Sequence, residues 1–337
     1  MDNYIYMCIC IYGIIMTKEV LIHQVIDVLR QSGFIVSDRC NIRPRCFDLA
    51  ARRDDILLFC KILYNIDGLN EETAKEIKAL ASYLNGSPLI IGAKTRDQML
   101  EDSVVYMRYE IPALNAQTLY DYLVEGVPPL VSAAPGGLYV SIDGDVLKKA
   151  RIDTSLSLGS LSSLIGVSRR TISKYEEGGM AASIEVVLQL EDLLDVALAR
   201  SIDFLNSFNE IPSVPNTEND PNQQPKVPND SVLETLHLLG YNVLSTSQAP
   251  FKAVSKDETN IMLTGISEYS SSMLKRAHLM SNISLITETR SVFIIDGHLK
   301  SESVESTVLI EKEELNKISD PDDLLTLIEN RMNYKLS

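Results

Sequence analysis

Apolar residues at Val20, Leu21, Val25, Val28 and Leu29 fall on one face of a helix, and Gly33 followed by Phe34-Ile35-Val36 predicts a helix stop and then a strand. The pattern returns late in the chain. Val232, Leu233, Leu236 and Leu239 repeat the helix face, with Gly240 and Tyr241-Asn242-Val243 after it. Both segments continue through a polar loop into Phe47-Asp48-Leu49-Ala50 or Phe251-Lys252-Ala253-Val254, and then a charged turn, Arg52 to Asp55 or Lys256 to Glu258. Apolar strands are expected next (Ile56 to Leu63; Ile261 to Ile266). They are followed by a helix (Glu71 to Leu84; Tyr269 to Met280), a strand (Pro88 to Gly92; Ile283 to Thr287) and a last helix (Asn115 to Val124; Pro321 to Glu329). Helices alternating with strands over such a length predict an α/β sheet covered by helices, used twice.

The region between the copies, Asp143 to Leu205, lacks β-branched runs and reads as several short helices. From Ile211 to Asp230 the chain carries Pro212, Pro215, Pro221, Pro225 and Pro228 among Asn, Asp and Gln. Too little apolar surface is present there to offset ordering entropy, so a mobile tether hinging the last copy is expected. The expected division is an apolar tail at 1–15, an α/β domain at 16–142, a helical domain at 143–205, a Pro-rich linker at 206–230 and a second α/β domain at 231–337. The tail contains Asp2, is too short to span a bilayer and lacks the basic start and cleavage site of a secretory signal. Met16-Thr17-Lys18 leads straight into the first amphipathic helix and is an alternative translation start.

Composition narrows the function classes. With 45% hydrophobic and 23% charged residues, the chain of 337 residues has ordinary globular usage and room for two or three domains. Its net charge of −15 argues against non-specific coating of nucleic acid or an anionic membrane. The five cysteines, Cys8, Cys10, Cys40, Cys46 and Cys60, contain no CxxC and no histidine at ligand spacing, which points to a reducing cytoplasm and away from zinc or a disulfide framework. His23, His237, His278 and His298 are scattered, and Gly136-Gly137 precedes no Lys-Ser or Lys-Thr, so no cofactor is expected.

The helical segment carries the clearest chemistry. Ser157 is a natural N-cap for a helix from Leu158 to Ile165, whose apolar face is Leu158, Leu161, Leu164 and Ile165. Gly166 can take the left-handed conformation that ends it, Val167 can plug the corner, and Ser168 can cap a further helix from Arg169 to Glu176. Leu161, Leu164, Val167, Ile172 and Tyr175 are expected in the core. Two such helices form a helix-turn-helix, whose second helix enters a major groove by its N-terminal end. Arg169 and Arg170 sit at that end, with Thr171, Ser173 and Lys174 around the outward face. From Lys148 to Lys174 there are six basic residues (Lys148, Lys149, Arg151, Arg169, Arg170, Lys174) and the single acid Asp153, a local charge of +5 that leaves −20 for the rest. Arg169 and Arg170 are therefore expected to contact DNA, with Thr171 and Ser173 as base or phosphate contacts. Ser157 and Ser160 should meet phosphate, and Lys148, Lys149 and Arg151 should position the backbone or remain solvated.

The stretch Leu156 to Gly178, LSLGSLSSLIGVSRRTISKYEEG, resembles the helix-turn-helix of the lambda-repressor and Cro type, with Ser162 where alanine is commoner. Beyond it, Ser183 to Val196 looks like that fold's fourth helix and Ala199 to Leu205 its fifth. Together with Tyr139 to Gly144 and Ile202-Asp203, the motif is similar to an archaeal family of HTH-type transcriptional regulatory proteins, over nearly the whole chain from Met16. The resemblance implies DNA binding and a regulatory role; with the cysteine usage, the expectation is a cytoplasmic, DNA-associated protein that binds double-stranded DNA to regulate transcription.

The α/β copies suggest a second reading. Asp48 entering one strand and Lys61 ending the next are similar to restriction-endonuclease-like and Holliday-junction-resolvase folds, in which an acid pair binds Mg²⁺ and a lysine assists phosphodiester cleavage. The second acid should lie two residues before the lysine, where this chain has Phe59; in the second copy Lys252, Leu263 and Gly265 hold the three positions. The expected architecture is thus α/β plus all-α, with two degenerate restriction-endonuclease-like domains flanking a five-helix DNA-binding domain. The expected function is a non-enzymatic, sequence-specific regulator acting as a homodimer through its α/β domains, away from any membrane. The alternatives are a structure-specific nuclease and a co-regulator binding the transcription machinery.

Overall fold

The computed structural model describes residues 17–205 and 230–333. The apolar tail at 1–15 and all but the final residue of the linker at 206–230 lie outside the described residues. Among the described residues, contacts divide the chain into two compact units, one of residues 17–28, 63–68 and 90–205, the other of residues 29–62, 69–89 and 230–333.

The first α/β copy runs α1 (Lys18–Gln31), β1 (Ile35–Val36), β2 (Leu49–Arg53), β3 (Ile56–Asn65), α2 (Glu71–Tyr83), β4 (Ser87–Lys94), β5 (Val104–Arg108), β6 (Ile111–Leu114) and α3 (Ala116–Leu123). The middle holds β7 (Val131–Ala134), β8 (Gly137–Val140), α4 (Gly144–Asp153), α5 (Leu158–Ile165), α6 (Arg169–Glu176), β9 (Ala182–Ser183) and α7 (Ile184–Leu194). The second copy runs α8 (Ser231–Leu238), β10 (Asn242–Ser245), β11 (Ala253–Lys256), β12 (Ile261–Ser267), α9 (Ser271–Thr287), β13 (Arg290–Ile295), β14 (Ser303–Val304), β15 (Thr307–Glu311), α10 (Lys312–Leu315) and α11 (Pro321–Asn333).

Strand register shows the repetition directly. β2 pairs antiparallel with β3, placing Leu49 opposite Cys60 and Ala50 opposite Phe59, while β11 pairs antiparallel with β12, placing Ala253 opposite Thr264 and Val254 opposite Leu263. One step earlier, the Asp48 amide donates to the Cys60 carbonyl (2.8 Å) and the Lys252 amide to the Thr264 carbonyl (2.7 Å). Positions 48, 59 and 61 therefore correspond to 252, 263 and 265, as the sequence suggests. In each copy a later strand runs parallel to the outer arm of a hairpin: β4 beside β6, with β5 folded back on β6, and β13 beside β15, with β14 folded back on β15. Sequence patterning misses both hairpins, whose strands are only two to five residues long.

Within the second unit the two copies hold each other, so the last copy does not simply hang from a hinge. Arg52 on β2 donates to the carbonyls of Ile286 (2.6 Å) and Thr287 (3.3 Å) at the end of α9, and Tyr83 at the end of α2 donates to the Asn242 carbonyl on β10 (2.6 Å). Glu76 on α2 accepts from the Ser247 and Gln248 amides and the Ser247 hydroxyl. The strand expected over Ile283 to Thr287 is instead the last turn of α9. Its isoleucines read as a strand, yet Ile283, Ser284 and Ile286 are the buried face of a helix that Ser270 caps at the start and Glu288, at φ 54°, ends.

In the first unit β8 pairs antiparallel with both β7 and β9, so a short strand precedes α7 in the otherwise helical segment. Leu147, Leu161, Ile165, Ile172, Tyr175, Val187, Leu190 and Leu194 form the core shared by α4 to α7. The expected fifth helix over Ala199 to Leu205 is absent. Ala199 bridges Ile142, the Arg200 amide donates to the Ser141 carbonyl (2.8 Å) and the Ile202 amide donates to the Pro129 carbonyl (2.8 Å), leaving extended chain in its place.

Candidate nucleic-acid interface

The turn between α5 and α6 is built from caps. The Ser157 hydroxyl accepts the Ser160 amide (3.0 Å), and the Ser168 hydroxyl accepts the Thr171 amide (3.1 Å), so each short helix begins with an amide satisfied by its own sequence. The capping hydroxyls also lie 2.8 Å from the Ser160 and Thr171 hydroxyls, respectively. Gly166, at φ 79°, takes the left-handed conformation that a side chain would strain, and its amide closes α5 on Ser162. Val167 packs part-buried against the core. Ser162 itself is buried, and its hydroxyl donates to the Gly159 carbonyl (2.9 Å), which is how a polar residue is tolerated where alanine is commoner.

Leu161, Ile172 and Tyr175 are buried as expected, but Leu164 is 60% exposed. Leu161 and Ile165 already fill the inward face of so short a helix, and Leu164 lies beside it. The start of α6 is exposed: Ser168, Arg169 and Arg170 face solvent, as does Lys174, while Thr171 and Ser173 are half-buried. The Ser173 hydroxyl donates to Glu177 (2.7 Å), so an acid shares its outward surface. Lys148 and Lys149 are exposed on α4, bordering a shallow depression with Asp145, Ile152 and Asp153.

Two features were not legible in sequence. Arg151, counted with the basic patch, is an internal group: its guanidinium makes a two-pronged ion pair with Glu176 (2.5 and 3.0 Å) and also donates to the Leu156 carbonyl (3.0 Å). The hydrogen bond to Glu176 is the main cause that holds its proton more tightly than an ordinary arginine. The pair ties α4 to the end of α6 and removes Arg151 from the surface charge. The Tyr-Glu-x-Gly motif signals that Glu176 matters, but not its partner. The second feature is Gly159, where a Cβ would lie only 2.5 Å from the Arg169 guanidinium. The missing side chain lets Arg169 lie against the first turn of α5, bringing Arg169 to the helix turn that carries Ser157 and Ser160.

In the first α/β copy, Asp48 is fully buried; one of its oxygens meets the Arg45 guanidinium (3.0 Å) and the other accepts the Ile62 amide (2.9 Å). Lys61 donates to the Arg45 carbonyl (2.7 Å), and Phe59 packs edge-on against Phe47 at 5.3 Å. Mg²⁺ needs converging oxygen ligands, whereas here one carboxylate is held by a cation and an amide and the second position is a hydrocarbon ring. The residues present do not fit the ion. Among the described residues, no three of His, Cys, Asp and Glu converge in a way that could hold a metal, and no helix is long and apolar enough to cross a membrane.

Two family profiles match parts of the chain. Residues 18–129 match the profile of a PD-(D/E)XK superfamily domain, and residues 147–200 match a helix-turn-helix profile. A protein of Methanococcoides burtonii named "Putative HTH-type transcriptional regulatory protein" is 66% identical over 94% of this chain and 98% of its own length. One of the same description from Methanosarcina barkeri is 64% identical over 94% and 98%. Among solved structures, the restriction-modification controller protein C.AhdI of Aeromonas hydrophila aligns at 30% identity over 16% of this chain and 80% of its own, with a TM-score of 0.15. On identity and shared length, the chain belongs to the archaeal family of HTH-type transcriptional regulatory proteins.

Proposed function

We propose that the protein is a sequence-specific, double-stranded DNA-binding regulator of transcription in which α6 lies in the major groove. The observation that carries this reading is the exposed, capped start of α6, with Arg169 and Arg170 on it and Gly159 opening space for Arg169. A helix N-terminus adds its own positive partial charge, and an arginine there can bond bidentately to guanine or hold phosphate. Arg170, Thr171 and Lys174 face the bases and groove walls in this arrangement; Arg169, steadied on α5, joins Ser157 and Ser160 at the backbone. Ser168 acts as a cap, Ser173 is shared with Glu177, and Lys148 and Lys149 meet phosphate at the periphery.

One module of this size makes few contacts, so we assign a homodimer whose half-sites lie about one helical turn, roughly 34 to 36 Å, apart. We read the α/β copies as the dimerisation surfaces, where Ile35, Leu238 and Leu285 are exposed apolar residues. Both α/β copies are read as degenerate nuclease-like domains without catalysis: the first lacks the second acid at Phe59, and the second has Lys252, Leu263 and Gly265 at the three positions. The protein then works in the cytoplasm on DNA. Genome-wide occupancy mapping of the tagged full chain, followed by footprinting of the sites found, tests this reading. Discrete protected operators are expected; occupancy only through other transcription proteins, with no protection by the purified chain, would make it a co-regulator. Metal-dependent cleavage of branched DNA, lost in Asp48→Asn, would make it a nuclease.

A further inference from the structure

The two copies treat the same cleft in opposite ways. In the first, Arg45, three residues before Asp48, lays its guanidinium on that carboxylate, and Lys61 closes over the Arg45 carbonyl. In the second, the equivalent positions are Ala249, Lys252 and Gly265: the plugging arginine is gone, the acid has become a cation, and the lysine side chain is missing. What remains is a cavity of about 350 Å³, lined by all three of these residues and bordered by Pro44 of the first copy. That volume lies at the lower end of the range of roughly 300 to 1,000 Å³ typical of small-molecule sites.

Its lining has two characters. Phe251, Met273 and Phe293 supply an apolar wall; all three are buried, and a Cβ at Gly265 would run into the Phe293 ring, so the ring takes the space of the lost lysine. The lining also holds donors: Lys252, exposed, and Arg276, half-buried and donating at 3.4 Å to the Pro250 carbonyl. Thr246 and Ser247 are committed elsewhere, to the Phe251 carbonyl and to Glu76. Ser270 accepts the Met273 amide (3.1 Å), which leaves its own proton to donate, and Ser272 is exposed beside it. Two cations and two hydroxyls in one lining are more donors than a carboxylate uses, and they match the three oxygens of a phosphate monoester. The apolar wall suits an organic body attached to it.

We propose that the vestigial cleft of the second copy is a binding site for a small organic phosphate monoester. The inference is independent of DNA recognition, and its test needs no operator. Phenyl phosphate, phenol and inorganic phosphate would be titrated calorimetrically into the full chain. Phenyl phosphate is expected to bind saturably and more tightly than inorganic phosphate, with phenol silent. Lys252→Gln, an exposed substitution, should weaken phenyl phosphate binding by about tenfold or more, and Ala249→Arg, which restores the plug of the first copy, should abolish it. Absence of saturation below about 10 mM, or an affinity unchanged by Lys252→Gln, would overturn the proposal. It would also fall if a short random duplex displaced phenyl phosphate and Lys252→Gln lost affinity for that duplex, because the cleft would then hold nucleic-acid phosphate.

Discussion

The first α/β copy fills its cleft with an interlocked Arg45, Asp48 and Lys61, while the second leaves the same place open and cationic with Ala249, Lys252 and Gly265. The strand register is identical in both. A shared backbone therefore does not preserve the chemistry of this place; a few side chains decide whether it becomes a core or a pocket. At the position of the second acid the two copies carry Phe59 and Leu263, so neither presents a carboxylate there.

The comparison can be broken most forcefully at Asp48. Asp48→Ala leaves the Arg45 guanidinium, whose side chain is 11% exposed, without its buried partner, and should cost about 3 to 5 kcal/mol, whereas exposed Lys252→Ala should stay within about 0.5 kcal/mol. Denaturant unfolding of both variants checks the contrast, and equal costs would mean that the first cleft is not a core. Next in size is the grip between the copies. Removing the Glu76 carboxylate, which accepts three hydrogen bonds from Ser247 and Gln248, should weaken it by about 2 kcal/mol and speed hydrogen exchange at those amides. Unchanged exchange there would mean that the contact contributes little.

Cys60 and Thr264, opposite Leu49 and Ala253 at equivalent positions of the two copies, sharpen the contrast further. Both are fully buried, but the Thr264 hydroxyl has no hydrogen-bond partner in the structure. Thr264→Val should therefore be neutral or stabilising by up to about 1 kcal/mol, and a clear loss in thermal unfolding would reveal a partner for the hydroxyl. Burial pushes the Cys60 thiol up from 9.0 to about 12. The folded chain keeps a proton that the unfolded chain releases, so this contribution is complete below pH 9 and is lost as pH climbs toward 12. Cys60→Ala should flatten the fall in stability between about pH 9 and 10, and an unaltered slope would place the alkaline sensitivity elsewhere.

Much of this fold is legible because it is locally encoded. Ser157, Gly166 and Ser168 specify two caps and a corner without help from distant residues, and α5 and α6 fall where the pattern predicts. The repeat is legible through Gly33 and Gly240 and through the apolar runs that follow them. What sequence hides is pairing over distance. Nothing local says that Arg151 turns inward to Glu176, that Gly159 makes room for Arg169, or that Ala199 bridges Ile142 instead of starting a helix. The isoleucines of Ile283 to Thr287 mislead for the same reason: burial on one side looks alike in a strand and at a helix end.

The most direct measurement compares Arg170→Ala with the unaltered full chain on a footprinted operator and on random duplex of the same length. The account predicts a loss of roughly 1 to 3 kcal/mol on the operator and little change on random DNA. Equal losses on both would reduce Arg170 to a phosphate contact, and an unaltered chain that binds its operator no better than random DNA would contradict base recognition by α6.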